Sequence, residues 1–222
     1  NKTGQARNII ILSENSVFFI TAYLAVMKSG NVCVPLNPAI EEATLIEIAE
    51  RTDAEIAFVS KRYARKFENI PVRVVDPDEM PQWISETPEN ADDDTDFDDD
   101  RLAEIIFTSG STGEQKGVML THKNLNANTN SILKYLKLDR NDTILIVMPF
   151  YYCYGLSLLH THLRVGGSVV LNNSFVFIGS VIIDLNKYKC TGFSGVPSHF
   201  QILLRKTRDF KKTKFENLRY VT

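Results

Sequence analysis

Ile105-Ile106-Phe107-Thr108-Ser109-Gly110-Ser111-Thr112-Gly113-Glu114-Gln115-Lys116-Gly117-Val118 joins an apolar run to a strand-like run through a turn of hydroxyl side chains and glycine. Gly110, Gly113 and Gly117 open backbone angles closed to other residues and let an anion approach the chain. Successive N–H groups in such a turn form an anion-binding concavity. Thr108, Ser109, Ser111 and Thr112 add hydroxyl donors for phosphate oxygens. Lys116 supplies one compact, mobile positive charge. A phosphate-binding loop follows from these residues; which phosphate and which reaction do not. The order departs from the common nucleotide loop, Gly-x-x-x-x-Gly-Lys followed by Ser or Thr. Here Lys116 precedes Gly117 and no hydroxyl comes next. The strand-like run that follows speaks against a fixed cradle on a helix N-terminus. As composition alone, the stretch would be a flexible hairpin connection.

Working outward on the amino side, Ile9-Ile10-Ile11-Leu12 suits a strand buried on both faces. An apolar helix follows, with Ser13 or Asn15 as its cap and Gly30 at its carboxyl end. Val32–Leu36, Ile56–Val59 and Val72–Val75 read as strands, and Glu41–Arg51 as a helix. Strand and helix alternating at this spacing predict a largely parallel sheet flanked by helices, an α/β fold. Pro81 to Asp100 breaks the pattern. Its acidic runs, Asp92-Asp93-Asp94 and Asp98-Asp99-Asp100, read as a solvated linker. The resulting segmentation is 1–88, an acidic linker at 89–101, and 102–222 with the phosphate loop.

Beyond the loop, Thr121 is placed to cap a helix through Leu136, and Thr143–Met148 reads as a buried strand. Leu156–Arg164 and Ile178–Tyr188 read as helices, Ser168–Leu171 as extended, and Ser198–Lys206 as a last helix. His160 and His162 lie two apart on a helix and so face different ways, which argues against a shared metal. His199 is expected to be a surface histidine.

Composition narrows the partners. A net charge of -2 over 222 residues gives no reason to expect nucleic acid. No apolar run approaches the ~20 residues that span a bilayer. Cys33, Cys153 and Cys190 show no metal spacing, and scattered thiols of this kind fit a reducing cytoplasm. All three are expected to be small buried residues. The chain opens on Asn1 and closes on a strand-like run, so it is expected to be a piece of a longer polypeptide.

Thr108 to Val118 resembles the signature of the adenylate-forming family of acyl-CoA synthetases, peptide-synthetase adenylation domains and firefly-type luciferases. Met27–Pro38 and Thr121–Leu125 resemble further motifs of that family, as do Met148–Gly155 and Gly195–Pro197. The five motifs fall in order along the chain, and the resemblance covers nearly its whole length.

The resemblance implies an amino-terminal, incomplete piece of an ATP-dependent carboxylate-activating ligase. In such enzymes ATP and an acid give an acyl-adenylate and pyrophosphate, and a thiol then attacks. The thiol belongs to coenzyme A or to a carrier protein's phosphopantetheine. Thr108, Ser109, Gly110, Ser111, Thr112, Gly113 and Lys116 would hold the β- and γ-phosphates. Tyr152 stands where many members carry His and would gate the carboxylate pocket, which Gly155 and Gly195 line. The adenine-contacting segment and the Thr-Glu motif that serves Mg2+ would follow Thr222, as would the ribose-binding Asp and a carboxy-terminal Lys. The piece alone is therefore expected to be inactive, with an uncovered surface through which self-association is a hypothesis. Phe150 to Gly155 holds no acid to anchor a substrate amine, which favours an acyl or aryl acid over an amino acid. A non-catalytic module that keeps the fold is the alternative from another class.

Overall fold

Ile10, Ile11 and Leu12 are buried on both faces of their strand, as a central parallel strand requires. The structure is a computed structural model that describes residues 6–86, 98–109, 115–173, 175, 177–206 and 208–222. Two compact units, Asn1–Leu125 and Asn126–Thr222, make up the chain.

The first unit runs β1 (Asn8–Leu12), α1 (Val17–Lys28), β2 (Val32–Pro35), α2 (Glu42–Thr52) and β3 (Ile56–Val59). A 3-10 turn (Lys61–Phe67) leads to β4 (Arg73–Val75), α3 (Met80–Glu86), β5 (Leu102–Ser109) and β6 (Gln115–Thr121). Its sheet has the order β4-β3-β1-β2-β5-β6. Every neighbouring pair is parallel except β5 with β6, which form an antiparallel hairpin. Leu45, Ile48 and Ala49, spaced along one face of α2, pack with Ile10, Val34 and Val59 in one apolar cluster.

The helix ends correct the sequence reading in places. Ser16, not Ser13 or Asn15, caps α1 by accepting from the Phe19 N–H at 3.0 Å. The Ser13 hydroxyl is instead 2.7 Å from that of Ser60. Gly30 takes φ +73°, a left-handed angle that a helix end favours in glycine. α3 falls where the sequence reads as a break at Pro81, because the first helical turn tolerates a proline. Of the acidic linker, 89–97 lie outside the described residues. Asp98 closes a turn in which its carboxylate accepts from the Asp100 N–H at 2.9 Å.

Thr121 ends β6 and begins α4 (His122–Leu136). Its hydroxyl accepts from the Asn124 N–H at 3.2 Å, and the Asn124 side-chain oxygen accepts from the Thr121 N–H at 3.0 Å. This reciprocal cap satisfies two N–H groups that a helix start would leave unpaired. Thr121→Ala is expected to lower stability by about 1 kcal/mol. A lower urea midpoint with an unchanged slope would show it.

The second unit holds β7 (Thr143–Ile146), α5 (Cys153–Val165), β8 (Ser168–Leu171), α6 (Ile178–Lys187) and β9 (Gly192–Phe193). It ends with α7 (Pro197–Lys206), α8 (Arg208–Lys212) and β10 (Tyr220–Val221). Its strands are all parallel in the order β10-β9-β7-β8. β5 and β6 therefore complete the first sheet, while the rest of the 102–222 segment builds the second.

An ion pair pins the amino-terminal edge of this second sheet. Asp142, just before β7, accepts from Arg219 at 2.6 Å and from the Thr191 hydroxyl at 2.7 Å. Burial would push the Asp142 carboxyl up, but hydrogen bonds from Arg219, the Asp139 N–H and Thr191 outweigh it and hold it below the usual range. Arg219 also donates to the carbonyl of Leu136 at the end of α4.

Cys33 and Cys190 are buried as expected, but Cys153 is exposed. Cys153 opens α5, so no preceding helical turn covers it.

Candidate functional site

The β5–β6 hairpin carries Thr108 and Lys116 directly opposite each other, with Ser109 opposite Gln115. The strands thus extend further into the loop than the sequence suggests, because polar residues can pair through their backbones. Thr108 and Lys116 are both exposed, and the Thr108 hydroxyl lies 3.5 Å from the Lys116 carbonyl oxygen. Gly110, Ser111, Thr112, Gly113 and Glu114 lie outside the described residues.

Gly117 is a strand residue and not part of the turn. It sits inside β6, and a Cβ there would come within 2.8 Å of an Ile105 methyl and 3.3 Å of the Phe107 ring. Close packing across the hairpin, rather than turn geometry, excludes a side chain.

Arg51 of α2 also reaches the hairpin, donating to the Gln115 carbonyl at 2.9 Å. Nothing in the sequence pointed to it, since the two residues are 64 apart.

In the second unit the sequence-named residues share the carboxyl edge of their sheet, where open α/β sheets bind ligands. β7 runs out into Met148–Tyr152, β9 into Ser194 and Gly195, and β10 into Thr222. Tyr152 stands just before α5 and is 47% exposed. Its ring lies 4.6 Å from that of Tyr151. Gly195 is buried, and its N–H donates to the Thr222 carbonyl at 2.9 Å.

A chain of hydroxyls joins these elements. Ser194 meets Thr222 at 2.6 Å, and Thr222 meets Tyr154 at 3.1 Å. The Tyr154 hydroxyl, at the first turn of α5, ends this chain of contacts. His199 departs from its expected place on the surface. Its ring packs 4.1 Å from that of Phe175 and lies beside Gly195.

Read along its whole length, the chain matches the family model of the AMP-binding enzymes from residue 2 to residue 222. The chain belongs to that family. Nonribosomal peptide synthetase 4 of Gibberella zeae is 32% identical over 196 residues, which cover 85% of this chain and 2% of that protein. 4-Coumarate–CoA ligase 3 of Arabidopsis thaliana is 29% identical over 235 residues, 96% of this chain and 40% of the ligase. The o-succinylbenzoate coenzyme A synthetase of Bacillus subtilis, solved with AMP, matches with a TM-score of 0.83 and 25% identity. That match covers 99% of this chain and 56% of the synthetase. The chain thus spans well under two thirds of each of these relatives.

Within this AMP-binding chain, Gly155 has a firm structural reason. A Cβ at that position would lie 2.2 Å from the Pro149 carbonyl oxygen and 2.9 Å from that of Met148. Both contacts are backbone and cannot swing aside. Gly155→Ala is expected to destabilise by about 1–3 kcal/mol, the range for overpacking a buried position. Denaturant titration would measure it, and an unchanged midpoint would show that the first turn of α5 shifts freely.

The histidines of α5 are packed rather than poised. His162 is fully buried and donates from Nδ1 to the Leu158 carbonyl at 2.8 Å. Its Nε2 accepts from the Tyr220 hydroxyl at 2.7 Å, so the ring is held neutral and its value is lowered by burial. Burial likewise lowers His160 to about 4. Among the described residues no cluster of His, Cys, Asp or Glu could hold a metal ion, and no helix is long and apolar enough to cross a membrane.

Proposed function

We propose that this chain is the phosphate-gripping part of an AMP-forming acid–thiol ligase, acting within a longer polypeptide. The observation that carries the proposal is the exposed Thr108–Lys116 pair at the mouth of the β5–β6 hairpin, in a chain that matches the AMP-binding family throughout. A carboxylate oxygen of the acid attacks the α-phosphorus of ATP. The bond from that phosphorus to the bridging oxygen breaks, and pyrophosphate leaves with the electron pair. Lys116, with the hydroxyls of Thr108, Ser109, Ser111 and Thr112 and the backbone of Gly110 and Gly113, would hold the β- and γ-phosphates as charge grows on the leaving group. Holding them also keeps the displacement in line, which tolerates little misplacement.

Tyr152, exposed at the start of α5, gates the carboxylate pocket, and Gly155 and Gly195 line it. A thiol, from coenzyme A or a carrier protein, then takes the acyl group from the adenylate. This reading places most of the ligands of Mg2+ in other parts of the longer protein. An acyl or aryl acid is favoured, because Phe150 to Gly155 carry no carboxylate to anchor an amine. The identity to a peptide synthetase supports a second reading, activation of an amino acid.

Exchange of labelled pyrophosphate into ATP by the longer protein, with a panel of acids, tests both. Exchange that depends on an acyl or aryl acid is expected. Exchange with amino acids alone selects the second reading. Hydrolysis without acid dependence, or silence with every acid, overturns the proposal. Residues 1–222 alone are expected to give no exchange.

A further inference from the structure

We propose that Arg51, in the last turn of α2, is a positioning residue for Lys116. This rests on the function proposed above. Its Nη1 donates to the Gln115 carbonyl oxygen at 2.9 Å. That carbonyl and the Lys116 N–H belong to one planar peptide unit, so a bond to the oxygen fixes the plane from which Lys116 leaves the backbone. The same guanidinium lies over the Phe107 ring, 5.9 Å from its centroid, on the opposite strand. It therefore holds both strands of the hairpin at the level where Lys116 begins.

Two features explain why such a restraint matters. β6 is an end strand of its sheet and is laddered only to β5 among the described residues. Exposed ladder bonds of this kind open locally at low free energy. Arg51 adds a bond from outside the ladder, anchored on a helix whose opposite face is in the core. One helical turn earlier, Glu47 Oε1 accepts a second bond from the same Nη1 at 3.0 Å. The guanidinium serves the carbonyl and the carboxylate through Nη1 with its carbon over the ring, a geometry that the shorter, point-charged lysine does not reproduce.

The test uses the longer protein that carries this chain. Arg51→Met is expected to raise the KM for ATP about fivefold, leaving the KM for the acid unchanged. It is also expected to speed amide hydrogen exchange across residues 115–117. Arg51→Lys restores little of either. Glu47→Gln removes the ion pair but leaves the Gln115 bond, and keeps the wild-type KM for ATP. Against a Lys116→Ala background, Arg51→Met adds nothing, because two residues acting as a unit are not additive. Unchanged ATP affinity and exchange in Arg51→Met would overturn the proposal. So would equal losses for ATP and acid, or losses that add to those of Lys116→Ala. Should Lys116→Ala itself leave ATP use unchanged, the functional reading fails and this inference falls with it. If only Arg51→Met is silent, the reading stands and Arg51 is ordinary surface.

Discussion

Lys116→Ala in the longer protein is expected to slow acid-dependent pyrophosphate exchange about 10²- to 10³-fold, the usual effect of removing one preorganised donor from a developing anion. The reasoning begins with where the side chain stands. Lys116 is exposed on β6, directly across from Thr108, and among the described contacts no carboxylate neutralises it. Its charge stands on an exposed strand position where a ligand can meet it. The leaving pyrophosphate gains negative charge in the transition state, so the loss should fall on kcat as well as on the KM for ATP. The KM for the acid should stay level. An exposed side chain contributes little to folding, so the variant should unfold within about 0.5 kcal/mol of the wild type. That separation distinguishes a lost ligand contact from a damaged hairpin. An exchange rate equal to wild type, with unchanged ATP affinity, would remove the basis for assigning phosphate binding to this loop.

The second large effect concerns stability and pH. Glu104, on β5, is 1% exposed, and its carboxylate accepts from the Tyr23 hydroxyl of α1 at 2.6 Å. Cys33 of β2 is its partner in the sheet register. Burial raises the Glu104 carboxyl from 4.5 to about 7, and the hydrogen bond from Tyr23 offsets only part of that. Burial pushes the Tyr23 hydroxyl and the Cys33 thiol up as well, with the Glu104 charge adding to both. None of the three groups therefore supplies a compensating positive charge.

Because the folded-state value of Glu104 is raised, its contribution to stability is fully present below about 4.5 and is lost as the pH rises to about 7. Above that it is flat. Glu104→Gln keeps the shape and an acceptor for Tyr23 while removing the titration. The variant is expected to match the wild type within about 1 kcal/mol at pH 5, and to exceed it by about 3 kcal/mol at pH 8. Urea unfolding of both proteins at the two pH values measures this. A difference that does not change with pH would show that Glu104 does not titrate as its burial implies.

Glu104 also shows where reading from sequence stopped. As one polar residue in Leu102–Phe107, it gave no sign of lying against Tyr23, which is 81 residues away. Arg51 was equally silent, sitting where a helix normally carries a basic residue in its last turn. Ser194, Tyr154 and Thr222 form one hydroxyl chain only because β9, α5 and β10 bring their ends to the same sheet edge. Gly117 was legible as a necessary glycine, but for the wrong reason. Its requirement comes from Ile105 and Phe107 across the hairpin.

The alternation of strand and helix, the family and the hydroxyl-rich turn with its lysine are all legible in the order of residues alone. Those depend on local periodicity and on an ordered string of residues, which neighbours along the chain carry. Tertiary structure decided how far the hairpin strands extend, which cation reaches the lysine's peptide plane and which carboxyl is stripped of water. Each of these depends on contacts between residues tens of positions apart, and on desolvation, which exists only once the sheets have packed.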